Sequence, residues 1–463
     1  MTRRSFPLVL ALSLLAVLIF VLQPVTASLP HDPLADFPLA PQPSAPLPIN
    51  PHPLPDNFHY PTVLDPDPVI QGMINQVISS TVMQYDGGLS GQWPVTIGGQ
   101  SYTLTTRHTY SGEPIQKATQ YVGEHMAGLG MAVEYHTWNA VRPPNVIGQM
   151  TGAANPDDIY IIGAHLDDMP SGTTAPGADD NASGSTAVMI AADILSQYQW
   201  DCTLRFVFFT GEEQGLLGSA AYASRAFSNG ETILGVLNLD MIAWNTLNSS
   251  PDIDIHASQS VAGSVPLAQL FTDVVDVYNL NLIPQIIPNG TGASDHASFW
   301  SYGYPAILAI EDYRNAAGSG TGDFNPYYHT TQDNLAHVDV VYFTELVRAA
   351  VGAFAHMNGC LAGASGTVMG TVTDENATPL PSANVQMVGN GSIFHSMANG
   401  AGQYTATLPI GVYTMTASVT GFTPVTVTNV IIVTDTVTTV DFMLPPTVVY
   451  EPNYLPFMLS PTE

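Results

Sequence analysis

The sequence predicts an α/β sandwich followed by a small β-sandwich, and three observations carry this prediction. Apolar runs of strand length alternate with helix-length stretches from residue 132 to residue 358, a pattern typical of α/β domains. Three of these runs end abruptly in acid or histidine, as expected where strands buried on both faces of a largely parallel sheet reach its edge. From Gly366 onwards, short Val- and Thr-rich runs alternate with Gly, Pro and Asn, which favours a β-sandwich.

In chain order, the pattern predicts a helix over 69–83, a turn region at 87–88, and a second helix from Glu113 to about Leu129. Asp252 and Asp254 alternate with apolar residues, which predicts the solvent face of a strand. The other predicted strands cover 132–138, 145–151, a run ending at 165, 204–210, 233–241, 282–287 and 305–311, then 367–373, 383–388, 402–408, 411–418 and 435–443. The other predicted helices cover 184–198, 214–228, 265–278 and 338–358.

Both ends of the chain are predicted to lie outside these domains. Residues 1–27 have the basic start, apolar core and small-residue end of a secretory signal peptide, with an uncleaved anchor as the alternative. Residues 28–68 hold 13 prolines and are interpreted as a linker or a pro-segment, and residues 445–463 form a Pro-rich tail. We therefore expect a secreted protein, either free or attached to the cell surface. Export permits a disulfide between Cys202 and Cys360, but the sequence leaves this pairing open.

The charge balance excludes some classes of partner. The formal net charge is −29, from 9 Lys and Arg against 38 Asp and Glu. Contacts with phosphate groups require Lys and Arg, so a chain this acidic is a poor binder of nucleic acid and of anionic membranes. We expect neither a nucleic-acid partner nor stable membrane insertion after the signal is removed.

Acidic residues and a histidine follow the predicted strands where those strands end. His165, Asp167, Glu212, Glu213 and Asp240 should meet at one edge of the sheet, because ligands of open α/β sheets bind at the carboxyl ends of the strands. Imidazole nitrogen and carboxylate oxygen are the ligands expected for a hydrolytic Zn²⁺ site. The His165-x-Asp167 spacing predicts both side chains on one face of a strand, where the carboxylate could orient the imidazole. His329 is the candidate for the second histidine.

The motifs resemble those of the M28 zinc peptidases, in particular the bacterial secreted leucyl-type aminopeptidases. The resemblance covers roughly residues 105 to 358 and rests on six motifs in the family's order: His-Leu-Asp at 165–167, Gly-Ala-Asp-Asp-Asn-Ala-Ser-Gly at 177–184, Glu-Glu-x-Gly-Leu-x-Gly-Ser at 212–219, Leu-Asp-Met at 239–241, Ser-Asp-His-Ala-Ser-Phe at 294–299 and His-Thr-Thr-x-Asp at 329–333. It implies a peptidase domain over 69–362 with the zinc-exopeptidase fold, a mixed sheet with helices on both faces.

The same resemblance implies two Zn²⁺ ions per chain and a role for each site residue. Asp180 would bridge the ions, His165 and Asp240 would complete one site, and Glu213 and His329 the other. Glu212 would be the general base, with Asp167 as a second catalytic residue. Asp179 would be a surface group or a support for the site, and Asp295 and His296 would shape a neighbouring loop. In that loop Thr291 stands where some relatives carry a tyrosine.

Residues 366–444 are similar to carboxypeptidase regulatory-like domains. The similarity rests on Gly370-Thr-Val-Thr-Asp374, Gly402-Gln-Tyr404 and Gly411-Val-Tyr413. This part shows no catalytic constellation, and contact with a cell surface or a polysaccharide is the expectation for it. The chemistry should not require it, because every candidate ligand precedes residue 335.

The resulting hypothesis is a secreted aminopeptidase in which Glu212 activates a water molecule to attack peptides or proteins at the amino end. The acidic edge suits a terminal ammonium, whereas a carboxypeptidase needs Arg or Lys, and the candidate for that role is Arg314, in the loop before His329. By family position Met241, Phe324 and Tyr328 would bind the first side chain, which should be large and apolar. The alternatives are a glutaminyl-cyclase-like acyl transfer enzyme on the same fold and a non-catalytic surface-binding protein.

Overall fold

The computed structural model describes residues 50, 54, 60, 64–246, 249–313, 323–362, 365–389, 392–409, 411–433 and 436–447. The predicted signal peptide, most of the predicted linker, almost all of the tail and Arg314 lie outside these residues. The strands before residue 363 are β1 (Val95–Ile97), β2 (Gln100–Tyr102), β3 (Ala132–His136), β4 (Asn145–Met150), β5 (Asn155–His165), β6 (Gln199–Trp200), β7 (Cys202–Phe209), β8 (Thr232–Leu239), β9 (Asp252–His256), β10 (Ile283–Ile287), β11 (Ala306–Glu311) and β12 (Leu361–Ala362).

Eight of these strands form one mixed sheet in the order β10-β9-β11-β8-β5-β7-β4-β3. The pairs β5–β7, β5–β8, β8–β11 and β9–β10 are parallel. The pairs β3–β4, β4–β7 and β9–β11 are antiparallel. The central strands therefore all point the same way, and the predicted mixed, largely parallel sheet is confirmed.

Helices cover both faces of the sheet. They are α1 (Pro68–Asn75), α2 (Ser79–Leu89), α3 (Glu113–Gly128), α4 (Gly184–Leu195), α5 (Leu217–Asn229), α6 (Ser264–Val277), α7 (His296–Trp300) and α8 (Val340–Asn358). Alternate side chains of β7 show the two layers, because Phe206 meets Phe354 of α8 edge to face at 5.8 Å while Phe209 meets Phe299 of α7 at 6.1 Å on the other face. By length and composition α8 could cross a membrane, but 72% of its apolar window is buried inside the protein.

The amino-terminal part differs from the prediction in three ways. The single helix predicted over 69–83 is two helices, α1 and α2, and the turn predicted at Gly87 and Gly88 lies inside α2. A Cβ atom on Gly87 would lie 2.3 Å from the Trp93 ring, so the glycine serves close packing. The linker predicted to extend to residue 68 is wrong at Tyr60, which is 3% exposed and donates a hydrogen bond to the carbonyl of Leu234.

Asp254 is buried, which overturns its prediction as a solvent-facing residue. Asp254 lies on β9 with a side chain that is 0% exposed, because the segment after β11 covers that face of the strand. Its Oδ2 accepts the backbone N–H of Tyr313 at 3.1 Å. Burial raises the pKa of Asp254 to about 7.

The carboxyl-terminal domain is a two-sheet β-sandwich, as predicted. Its strands are β13 (Ser365–Asp374), β14 (Asn384–Gly389), β15 (Ser392–Met397), β16 (Gln403–Pro409), β17 (Gly411–Ser418), β18 (Val425–Ile432), β19 (Val437–Thr439) and β20 (Phe442–Leu444). One sheet has the order β16-β13-β19 with β20 also on β13, and the other has the order β15-β14-β17-β18. Strands β15 and β18 were not predicted from the sequence.

The two cysteines form a disulfide, which settles the pairing that the sequence left open. Cys202 begins β7 and Cys360 follows α8, and 158 residues separate them in the chain. Next to this bond β12 pairs with β6 in an antiparallel arrangement. The disulfide therefore connects the start of a central strand to the end of the last helix of the α/β domain.

Candidate metal centre

Three neighbouring parallel strands deliver the site residues to one edge of the sheet. His165 is the last residue of β5, Asp240 follows the last residue of β8, and Glu212 and Glu213 lie in the turn after β7. His165 is 1% exposed and Asp240 is 6% exposed. The predicted convergence of these residues is thus observed, and it follows from the parallel register of β7, β5 and β8.

A distorted turn before α4 brings Asp180 to the same edge. Residues Ala178–Ser183 form a π-helical turn in which Asp180 has non-helical backbone angles. The carboxylate of Asp333 accepts the backbone N–H groups of Asp179 and Asp180 at 3.1 and 3.0 Å. Because Asp333 follows His329 by four residues, this contact holds the His329 loop against the Asp180 turn.

The five predicted ligands form two groups that share Asp180. The Nε2 atom of His165 lies 3.3 Å from Oδ1 of Asp180 and 3.2 Å from Oδ1 of Asp240. The Nε2 atom of His329 lies 3.2 Å from Oδ2 of Asp180 and 2.8 Å from Oε2 of Glu213. Each group places its ligand atoms within 4.8 Å of one another, close enough to hold one ion.

The hydrogen bonding of these atoms fits metal ligands. Asp180 Oδ2, Glu213 Oε1 and His329 Nε2 are buried and have no hydrogen-bond partner of suitable geometry. Buried polar atoms are rarely left without a partner, because each costs free energy. A cation between the carboxylates would satisfy them, and the nitrogen and oxygen donor set is that of Zn²⁺.

Charge coupling within the site is strong. Although burial alone would lower the pKa of His329, the carboxylates of Glu213 and Asp180 raise it to about 10. Burial alone would raise the pKa of Asp180, but the nearby imidazoles of His165 and His329 hold it well below its usual value. Burial raises the pKa of Glu212 well above its ordinary range, and the neighbouring Glu213 and Asp240 add to the shift. The site therefore concentrates negative charge that needs cationic compensation.

Asp167 lies at the site but contacts His165 differently from the prediction. The strand ends at His165, so the two side chains do not share a strand face, and Nδ1 of His165 lies 3.1 Å from the backbone carbonyl oxygen of Asp167. The Asp167 carboxylate is 3.8 Å from that nitrogen. It accepts the hydroxyl of Thr109 at 2.7 Å and the backbone N–H groups of Glu212 and Glu213 at 3.3 and 3.4 Å. Asp167 thus fixes the turn that carries both glutamates.

Asp179 is buried and supports the site from behind, so its alternative placement at the surface is wrong. It is 2% exposed. Its carboxylate accepts the backbone N–H of Ala243 at 2.8 Å and the side-chain amide of Asn325 at 2.9 Å. The asparagine belongs to the loop that carries His329, so Asp179 connects that loop to the segment after β8.

The three residues predicted to bind the first side chain of the substrate lie beside the metal groups. Met241 follows Asp240 directly, has a φ of 49°, and is 1% exposed. The rings of Phe324 and Tyr328 meet edge to face at 5.2 Å, and the Tyr328 ring stacks on His329 at 3.6 Å. Phe324 and Tyr328 therefore form an aromatic wall next to one ligand, whereas the Met241 side chain is largely enclosed.

The loop after β10 also reaches the site. Ser294 donates its hydroxyl to Oδ2 of Asp240 at 2.6 Å. Thr291 is held by two buried histidines, since its backbone N–H donates to His256 at 3.1 Å and its carbonyl oxygen lies 2.8 Å from Nε2 of His296. His296 therefore shapes this loop, as the sequence analysis expected, and His256 contributes equally.

Arg107 supports the site although no sequence motif predicts this role. Its side chain is fully buried. It donates to the carbonyl oxygens of Leu166 at 2.8 Å and Gly177 at 2.9 Å, and it lies 3.4 Å from the Asp168 carboxylate. One side chain thus connects the segment after His165 to the turn before Asp180. Arg107 lies 58 residues before His165 and belongs to no local motif. The scarcity of Lys and Arg in this acidic chain could nevertheless have indicated that the arginine has a structural role.

Comparisons with known proteins identify two domains in this chain. Residues 145–352 match the model of peptidase family M28, and residues 367–445 match that of the carboxypeptidase regulatory-like domain. Leucine aminopeptidase 1 of Trichophyton rubrum is 28% identical over 257 residues, which cover 53% of this chain and 65% of that protein. The probable leucine aminopeptidase 2 of Aspergillus oryzae is 30% identical over 224 residues, covering 46% of this chain and 43% of that protein.

A solved structure shares the fold of the α/β domain. The LapA aminopeptidase of Legionella pneumophila superposes with a TM-score of 0.53 at 18% identity, covering 63% of this chain and 75% of that chain. The match with each of the two fungal proteins spans less than two thirds of that relative's length. The two matched family models show a peptidase family M28 domain at residues 145–352, followed by a carboxypeptidase regulatory-like domain at residues 367–445.

Proposed function

We propose that this chain is a dizinc aminopeptidase that removes a large apolar residue from the amino end of peptides. The observation that carries the proposal is the shared carboxylate of Asp180, which presents one oxygen to His165 and the other to His329. With Asp240 and Glu213 this gives two adjacent ligand groups. Two zinc ions held in this way would lower the pKa of a water molecule and polarise the scissile carbonyl.

Glu212 is the proposed general base and acid. It adjoins the ligand Glu213 without belonging to either ligand group, and its backbone N–H is held by Asp167 at 3.3 Å. It would take a proton from the attacking water and pass it to the leaving amine. A carboxyl group whose pKa is raised by burial and by neighbouring carboxylates suits this transfer near neutral pH.

The charge of the site favours the amino end of the substrate. The carboxylates of Glu212 and its neighbours could accept a terminal ammonium, since complementary charge orients a bound ligand. The aromatic wall of Phe324 and Tyr328 would receive the first side chain, together with Met241, which follows the ligand Asp240. Apolar pockets discriminate by roughly 1–3 kcal/mol per methylene, so the preference for Leu or Phe should be graded.

Localisation and the role of the second domain belong to the same proposal. The Cys202–Cys360 disulfide supports export, because such bonds persist in oxidising compartments. The carboxyl-terminal domain would contact a cell surface or a polysaccharide, with a peptide or protein as the substrate of the first domain.

The experiment is a comparison of leucyl, phenylalanyl, lysyl and glutamyl anilides with N-acetyl-leucyl anilide. Each is assayed before and after chelation and after zinc is restored. We expect the leucyl and phenylalanyl substrates to be cleaved fastest and the acetylated one to resist. Efficient cleavage of the acetylated substrate would refute an aminopeptidase, whereas a preference for lysyl or glutamyl anilide would refute only the assigned pocket.

A further inference from the structure

Arg142 stands apart from most other cations of this acidic protein. Among the residues that the structure describes, most Arg side chains lie against a carboxylate: Arg107 with Asp168, Arg205 with Glu231, Arg225 with Glu134 and Arg348 with Glu345. In the same described ranges Arg142 has no carboxylate partner. Its guanidinium carbon lies 3.9 Å above the centre of the Tyr110 ring. A half-buried arginine held in this way keeps its charge and its donors available for a ligand.

The sheet topology places Arg142 at the same edge as the metal groups. Strand β4 is antiparallel to β7, and Val146 near its start pairs with Phe208 near the end of β7. The loop between β3 and β4, residues 137–144, therefore leaves the sheet where His165 and the Glu212 turn are found. Tyr110 is 50% exposed, so the pair faces solvent at this edge.

Both sides of the Arg142–Tyr110 pair are attached to the turn that carries Glu212. The residue before Tyr110, Thr109, donates to Asp167 at 2.7 Å and accepts the backbone N–H of Gly211 at 3.1 Å. In the loop of Arg142, Trp138 donates to the hydroxyl of Thr210 at 2.9 Å, and its ring covers Gly211. The segments that carry Tyr110 and Arg142 are thus both attached to Thr210 and Gly211, which directly precede the proposed general base.

We propose that Arg142, supported by Tyr110, binds a carboxylate of the peptide substrate on the far side of the scissile bond. The proposal rests on the aminopeptidase function. In it the acidic edge binds the terminal ammonium of the substrate, and Arg142 binds a carboxylate of the same substrate. Guanidinium binds carboxylate through two parallel hydrogen bonds. The carboxylate could be the terminal group of a short peptide or the side chain of Asp or Glu near the new amino end.

The test compares substrates that differ only in this carboxylate. Leu-Gly-Gly is compared with Leu-Gly-Gly amide, and Leu-Glu-Gly amide with Leu-Gln-Gly amide, by kcat/KM with the zinc-loaded, full-length enzyme. The first pair reports recognition of a terminal carboxylate and the second reports recognition of a side chain. The variants are Arg142→Gln, Arg142→Lys, and the control Arg225→Gln, whose guanidinium lies against Glu134 and 5.3 Å above the Tyr222 ring.

For wild type we expect kcat/KM for one of the two carboxylate substrates to be about tenfold higher than for its neutral partner, the ratio typical of a charge-assisted hydrogen bond. Arg142→Gln should bring that ratio close to one, mainly through KM, Arg142→Lys should restore it in part, and Arg225→Gln should keep the wild-type ratio. Equal ratios in wild type and Arg142→Gln would overturn the proposal. Cleavage of leucyl anilide, which has no carboxylate, separates this outcome from failure of the aminopeptidase function itself.

Discussion

A Cβ atom on Gly72 of helix α1 would lie 3.3 Å from the backbone nitrogen of Thr407 in strand β16. The Thr407 hydroxyl also donates to the carbonyl of Pro68 at 2.9 Å, and the rings of Tyr198 and Phe394 meet edge to face at 5.9 Å across the same boundary. The β-sandwich is therefore packed directly on the peptidase domain. Removing it would leave every candidate ligand in place but would expose Tyr198, which is 5% exposed in the full chain.

The first prediction concerns this boundary. Gly72→Leu should separate the two domains, because the new side chain has no room against Thr407, and limited proteolysis should then cut between them. Gly128→Leu is the matched control, since a Cβ atom there meets nothing within 4 Å. Equal resistance of the two variants to proteolysis would show that the close approach at Gly72 does not hold the domains together.

The second prediction concerns Arg107. Arg107→Lys keeps the positive charge beside Asp168 but cannot reach the carbonyls of both Leu166 and Gly177. We expect zinc affinity, measured by competition with a chelator, to fall about 10- to 100-fold, as is typical when a residue supporting metal ligands is lost. Arg205→Lys, which disturbs a partly buried pair with Glu231 away from the ligands, should lower stability and leave zinc affinity unchanged. Unaltered zinc affinity in Arg107→Lys would contradict the positioning role.

The third prediction concerns stability at acidic pH. Burial lowers the pKa of His256 to about 3, whereas the unfolded chain binds a proton there near pH 6.5. Between these values the unfolded state holds more protons, so the free energy of unfolding decreases as the pH falls from about 6.5. His256→Asn keeps an acceptor for the N–H of Thr291 and should reduce the loss between pH 7 and pH 5 by about 1–2 kcal/mol.

Urea denaturation of wild type and His256→Asn at both pH values measures this difference. The neighbours Asp254 and His296 also titrate abnormally, with pKa values of about 7 and 4, but they are present in both proteins. His337→Asn, at a partly exposed position, is the control. The same loss of stability in His256→Asn as in wild type would rule out His256 as a source of the acid sensitivity.

The fourth prediction concerns the disulfide. Because Cys202 and Cys360 are 158 residues apart, their bond restricts the unfolded chain strongly, and its loss should cost about 2–5 kcal/mol. The double variant Cys202→Ala, Cys360→Ala should unfold at a lower denaturant concentration than wild type. A reducing agent should lower the unfolding midpoint of wild type and leave that of the variant unchanged. If reduction left the wild-type midpoint unchanged, the bond would contribute nothing to stability.

The sequence was sufficient for the central sheet because three of its buried apolar runs end in acidic residues or histidine. His165, Glu212 and Asp240 break long apolar runs, and parallel strands bring such breaks to one edge. It was less informative where burial depends on a distant partner. Asp254 alternates with apolar residues as a surface strand would, yet its carboxylate is buried against the backbone of Tyr313.

Close packing, and contacts between residues far apart in the chain, could not be predicted from the sequence either. The Gly87-Gly88 pair is typical of a turn, yet both residues lie inside α2. Glycine is needed at position 87 because the Trp93 ring occupies the space of a side chain. Arg107 lies outside the family motifs, and its carbonyl partners belong to segments that meet only in the folded chain. Strand β18 carries an alternating Val-Thr pattern over 425–428 that is typical of a strand, so its signal was present in the sequence.

Zinc content per chain, measured together with leucyl-anilide turnover in wild type and Glu212→Gln, is the most direct measurement of the dizinc mechanism. The shared Asp180 predicts about two zinc ions per chain in both proteins, because Glu212 is not among the candidate ligands. Turnover by Glu212→Gln should fall by about 10²- to 10⁴-fold, the usual contribution of a general base. About one zinc ion per chain in wild type, or wild-type turnover by Glu212→Gln, would contradict the mechanism.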